Sequence, residues 1–130
     1  MSAELRLRPR VSALAEAFLA QPLARQLAFG LGSPLSILFP QALEQNFEAL
    51  SSVLKAHALP HSLFFAHKAN QSHSLLSQMA ISSLKVDVAS LNELRHALAS
   101  GFTGKRIEAT GPKNSEFLQL CMLHGVTINA

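Results

Sequence analysis

Tryptophan and tyrosine are absent, and the only aromatics are eight phenylalanines, which leaves few side chains suited to stacking on bases. Charge is also sparse, at 15% of residues. The formal net charge of +3 comes from 11 basic and 8 acidic side chains, and the one basic cluster is RLRPR at residues 6–10. Together these argue against a nucleic-acid partner. Cysteine occurs once, at Cys121, which excludes an internal disulfide framework and fits a reducing compartment; the thiol is expected on the buried side of a helix. No apolar run reaches the roughly 18 residues of a membrane span, and no signal-peptide pattern follows the basic N-terminus, so the expectation is a cytoplasmic protein without membrane association. Histidines 57, 61, 73, 96 and 124 show no ligand spacing. His57 and His61 are four apart, but Pro60 breaks any helix between them, so no metal site is inferred.

What is present is apolar side chain, 48% of the residues over a length of 130, enough for a packed globule. A helical stretch over 11–29 ends at GLGSP. Short β-prone runs then recur at 35–39 (LSILF), 62–67 (SLFFAH), 85–89 (KVDVA), 106–110 (RIEAT) and 126–130 (VTINA). Between them, helices are predicted over 41–58, 73–82, 91–99 and 115–124. The first has Leu43, Phe47, Leu50 and Leu54 on one face, with Pro40 suited to its first turn. Ser72 suits an N-cap, and Gly101 and Gly125 suit helix stops.

Strands separated by single helices are the signature of parallel βα units. No G-x-G-x-x-G follows the first strand to favour a dinucleotide fold, so the predicted architecture is a (β/α)8 TIM-type barrel. The chain would supply its first five strands and four helices. Residues 1–30 form an N-terminal helical segment in this reading, and 31–130 the N-terminal part of a barrel domain of about 250 residues. A half barrel would leave strand edges unpaired, so a longer protein is expected.

The active site of such a barrel lies at the C-terminal ends of its strands. The polar residues there are Lys68, Asp87, Ser90, Thr110 to Lys113, and Asn129. Lys68 follows the apolar LFFAH, where desolvation would lower its proton affinity and free the amine for Schiff-base chemistry; the plainer reading is a lysine reaching solvent from a strand end. By position alone, Asp87 reads as an aspartate that terminates a strand. Ser90 and Glu93 have the S-x-x-E spacing of a helix capping box.

FFAHKAN, then VDVASLNEL, then RIEATGPKNSEF resemble the N-terminal half of the fold-type III pyridoxal-phosphate enzymes, most closely the ornithine/diaminopimelate/arginine decarboxylase family. GSPLSILF and NFEAL fit the same pattern, so the resemblance runs from Gly32 to Ala130. It implies an alanine racemase-like barrel, pyridoxal 5'-phosphate as cofactor and a homodimer at full length. By the resemblance Lys68 carries the cofactor as an internal aldimine, with Asp87, Ser90 and Glu93 near it and Asn70 shaping the turn. The implied activity is decarboxylation of an amino acid of the diaminopimelate, ornithine or arginine kind, or of a related amine-bearing metabolite. The alternatives are a racemase on the same barrel, against which the KANQSHSLL form speaks, and a non-catalytic binding relative. The family's phosphate-binding glycines, pyridine-nitrogen partner and cross-dimer cysteine are expected beyond Ala130. One residue departs from the family: His67 stands where an aliphatic residue usually precedes the lysine, and alternation in the strand directs it away from Lys68, toward the surrounding helices.

Overall fold

A computed structural model describes residues 11–129. The RLRPR cluster at 6–10 lies outside the described residues, as does Ala130. The chain divides into two compact units, Met1–Ala42 and Leu43–Ala130.

In the first unit, helix α1 (Ala13–Leu19) starts at Ser12, whose hydroxyl accepts the Ala15 N–H at 3.2 Å. Helix α2 follows at Pro22–Leu31. The sequence predicts one helical stretch here, and the break has a local cause. Pro22 disfavours the helical conformation of the residue before it, so Gln21 is extended (φ −86°, ψ 146°) and Pro22 opens a new helix at its first position. The ring of Phe18 meets Phe39 edge to face at 5.6 Å.

The predicted strand at 35–39 does not form. Leu35 to Phe39 make no strand pairing, and Ile37 and Leu38 are exposed. β-propensity measures fit to a paired, half-buried surface; without a neighbouring ladder the composition of LSILF has nothing to act on. The described residues therefore contain four strands, not five.

Helix α3 (Pro40–Ala56) leads into the second unit. Its Leu43 and Phe47 pack on the core, whereas Leu50, predicted on the same face, is exposed. Then come β1 (Phe64–Ala66), α4 (His73–Ile81), β2 (Lys85–Val88), α5 (Leu91–Ala99), β3 (Ile107–Ala109), α6 (Ser115–His124) and β4 (Thr127–Ile128). All strand pairs are parallel, and the spatial order is the chain order, β1-β2-β3-β4. A doubly wound sheet would reverse direction at a switch point. The unreversed order seen here is consistent with part of a TIM-type barrel.

The helix boundaries follow their caps. Ser72, Ser90 and Asn114 each accept an N–H of the first turn, from Leu75, Glu93 and Phe117. Gly125 closes α6 in the left-handed conformation (φ 65°), and Gly101 (φ 97°) follows α5. The core lies on one side of the sheet. Val86, Val88, Ile107 and Ala109 are fully buried and belong to one cluster with Leu76 and Met79 of α4, Leu94 and Ala97 of α5, and Phe117 and Cys121 of α6. As expected, Cys121 is a buried helix residue; burial pushes its thiol above the ordinary value.

Candidate active site

Alternation along the strands sorts the remaining side chains onto the opposite face. Val86 and Val88 point into the helix layer, so Lys85 and Asp87 point the other way, and Glu108 does the same between Ile107 and Ala109. In register, Ala66 stands opposite Asp87, Asp87 opposite Glu108, and Glu108 opposite Thr127. Glu108 accepts a hydrogen bond from the Asn129 amide. The period-2 pattern of β3 marks Glu108, although no motif singles it out.

β1 ends in a 3-10 turn, His67–Ala69, that carries Lys68 at the C-terminal end of the sheet and packs against β2. Lys68 is exposed, whereas the sequence predicts a desolvated ammonium, and it has no side-chain partner among the described residues. Desolvation at a barrel mouth requires strands on every side, whereas β1, which leads into Lys68, is an edge strand of the described sheet with β2, β3 and β4 on one side only. Asn70 closes the turn: its N–H donates to the His67 carbonyl at 3.1 Å, and its Oδ1 accepts the Ser72 N–H at 3.0 Å.

Asp87 has two unlike oxygens. Oδ2 accepts the Thr110 hydroxyl at 3.1 Å, while Oδ1 is buried with no partner. Thr110 is held in place by its own N–H, which donates to the Val88 carbonyl at 2.9 Å and prolongs the ladder one residue past β3. The next residue, Gly111, has φ 74°, and a Cβ there would lie 3.4 Å from the Cβ and carbonyl oxygen of Ala89. The conformation suits glycine because a Cβ is strained at that φ. Lys113 donates to the Gly111 carbonyl at 2.8 Å and so closes this turn on itself.

Ser90 and Glu93 form the cap at the start of α5. Ser90 Oγ accepts the Glu93 N–H at 3.2 Å, and Glu93 Oε2 accepts the Ala89 N–H at 2.8 Å, one residue earlier than in the usual reciprocal box. Glu93 is buried, and its Oε1 accepts the Gln71 amide at 3.2 Å. The same carboxylate that caps α5 thus tethers the segment three residues after Lys68.

His67 is fully buried, its ring 6.1 Å from that of His96 on α5. It faces the helices even though the strand end is a 3-10 turn. Neither ring nitrogen has a hydrogen-bond partner. Burial lowers its proton affinity below the ordinary value, and the Glu93 carboxylate partly opposes that shift. At the other end of the strands lies a groove of about 660 Å3 lined in part by Ser51, His61 and Lys85. There His61 hydrogen bonds to Ser51 and to the Leu59 carbonyl, each at 2.9 Å. No cluster of histidine, cysteine and carboxylate side chains among the described residues suits a metal ion.

The C-terminal end of this parallel α/β sheet thus carries an exposed lysine and a half-paired aspartate. The chain belongs to the family described as the pyridoxal-dependent decarboxylase, pyridoxal binding domain, which matches residues 41–130. Its cofactor is pyridoxal phosphate. Similar curated proteins include an uncharacterized protein, y4yA, of Sinorhizobium fredii, 41% identical over 99 residues that span 75% of this chain and 22% of the relative. A diaminopimelate decarboxylase of Corynebacterium efficiens is 35% identical over 98 residues, 74% of this chain and 20% of the relative. The chain therefore spans about a fifth of the length of these relatives. No described helix is long and apolar enough to cross a membrane.

The described residues fit the cofactor. A buried carboxylate oxygen without a partner is costly unless a donor or cation meets it, and Lys68 lies on the turn packed against the strand that bears it.

Proposed function

We propose that this chain is the N-terminal part of the (β/α)8 barrel of a pyridoxal-phosphate-dependent amino-acid decarboxylase, with residues 1–30 an N-terminal helical segment and 31–130 the barrel portion. The observation that supports the reading is Lys68, on a turn at the C-terminal end of a parallel sheet, where that turn packs against the strand that bears Asp87 and its unpartnered buried oxygen. In this reading Lys68 holds the cofactor covalently through its amine, and Asp87 steadies the positive charge next to that nitrogen. Asn70, Ser90 and Glu93 set the geometry of the loops around it. The bound cofactor supplies an electron sink for the pair released when carbon dioxide departs. The substrate is an amino acid of the diaminopimelate, ornithine or arginine kind or a related amine-bearing metabolite, and the enzyme is a cytoplasmic homodimer. The family match and the diaminopimelate decarboxylase among the relatives support this reading over a racemase.

One experiment with two readouts tests it. Borohydride reduction of the full-length holoprotein should fix the cofactor on the peptide containing AHKAN, and Lys68→Ala should lose both that label and the visible absorbance while keeping its circular dichroism. The same holoprotein, given candidate amino acids in deuterated water, should release carbon dioxide with one deuterium in the amine product. A label on another lysine refutes the role of Lys68. Exchange at Cα with inversion and no gas refutes the decarboxylase reading.

A further inference from the structure

We infer that Thr110 is a positioning residue for the cofactor-binding nitrogen: its hydroxyl anchors one oxygen of Asp87 and thereby presents the other to the cation at Lys68. The inference rests on the proposed role of Lys68 and adds a residue to that site.

A carboxylate on a strand can rotate about its terminal bond, which exchanges the places of its two oxygens unless one of them is held. Thr110 prevents this. Its hydroxyl must be the donor, because an ionised carboxylate only accepts, and the 3.1 Å bond to Oδ2 fixes the plane of the group. Threonine is suited to the task, since its branched Cβ restricts χ1 and its backbone is already tied to Val88 at 2.9 Å. With Oδ2 satisfied, the buried Oδ1 is left for a separate partner.

The surroundings narrow the identity of that partner. On one side in register stands Glu108, a carboxylate that cannot donate when ionised; on the other stands Ala66, whose methyl has no polar atom to offer. Lys85, two residues earlier on the same face, already donates to Ser62 at 2.9 Å and lies over the Phe64 ring. Lys113 donates to Gly111. Lys68 is two residues beyond Ala66, on the turn packed against β2, and has no partner among the described residues. A carboxylate within a few ångströms of a nitrogen cation favours its charged form. Thr110 would therefore act on the nitrogen through Asp87 without touching it.

The test is a pH titration of the visible absorbance of the bound cofactor in the full-length holoprotein, with its equilibrium cofactor affinity measured alongside. Thr110→Val should lower the titration midpoint by roughly one pH unit, a tenfold loss of proton affinity. Thr110→Ala, which removes the hydroxyl without placing a methyl in its position, should do the same if the valine variant fails to fold. Thr110→Ser, which keeps the donor, should titrate like the parent. Asp87→Asn should lower the midpoint at least as far, and adding Thr110→Val to it should produce no further shift, because both act through one carboxylate. A parent-like midpoint in the folded valine or alanine variant, with Asp87→Asn shifted, overturns the role of Thr110. An unshifted Asp87→Asn overturns it as well. Borohydride labelling of the parent away from Lys68 instead overturns the underlying assignment, so the two failures are distinguishable.

Discussion

Replacing His67 by leucine should stabilise the protein, against the usual direction for a buried substitution. The ring is fully buried and neither nitrogen makes a hydrogen bond of normal geometry; the backbone of Asn70 offers at most a weak, poorly aligned one. Each buried unsatisfied group costs about 1–3 kcal/mol, and a hydrophobic side chain of similar size removes both at a repacking cost below about 1.5 kcal/mol. A net gain of about 2 kcal/mol follows, which for a domain of this size raises Tm by roughly 6 °C. The effect should also depend on pH. Burial holds the folded-state proton affinity of His67 below the ordinary value of 6.5; Glu93 on α5 and the backbone of Asn70 oppose that shift, and His96 on α5 reinforces it. Below about pH 6.5 the unfolded chain therefore binds a proton that the folded chain refuses, and stability falls as pH falls, until the folded form protonates too. Above that pH the titration contributes nothing. Urea and thermal denaturation at pH 7.5 and 5.5 should show His67→Leu more stable at both and further ahead at the lower. Equal stability at pH 7.5 together with an unchanged acid dependence would refute the reasoning.

Arg106 donates to the carbonyls of Met79, Ala80 and Leu84 at 2.8, 2.7 and 3.0 Å and lies 4.8 Å from the centre of the Phe102 ring, so it closes the C-terminal end of α4 onto the sheet. Arg106→Ala should cost about 3 kcal/mol in urea denaturation, and Arg106→Lys should recover less than half, because one ammonium cannot reach all three acceptors; full rescue by lysine would refute the clamp. A Cβ at Gly104 would overlap the His124 carbonyl, which is backbone and cannot rotate aside. Gly104→Ala should therefore cost about 3 kcal/mol or more, and a loss below about 0.5 kcal/mol would show that this close approach is absent.

Local chemistry was the legible part of this fold. Helices α5 and α6 fall on the predicted residues 91–99 and 115–124, because each has a polar N-cap before it and a glycine just after, features that act within a few residues. Lys68, Asp87 and Thr110 stood out as polar residues at strand ends, since alternation and strand polarity are also local. The long-range facts were not legible. The run at 35–39 has strand composition but no partner, and pairing is a property of two segments. The bond from Thr110 to Asp87 joins residues 23 apart and exists only because β2 and β3 pair Asp87 with Glu108. A one-residue slip would send either side chain to the opposite face.

The same periodicity explains how two neighbouring residues come to have unrelated roles. His67 and Lys68 are consecutive, yet one is sealed against α5 and the other is exposed at the end of the sheet. The helix-facing side of this sheet holds almost all the buried apolar contacts, so changes there act on stability. The opposite side holds Asp87, Glu108, Thr110 and Asn129, whose bonds are few and polar, so changes there act on whatever the site binds. His67→Leu should accordingly leave cofactor affinity within about twofold of the parent while Tm rises, because the ring lies on the helix side of the sheet and its neighbour Glu93 is held independently by the Ala89 N–H and the Gln71 amide. A large loss of cofactor with unchanged Tm would mean that the imidazole reaches through the turn to the lysine, and that the two faces are not separate.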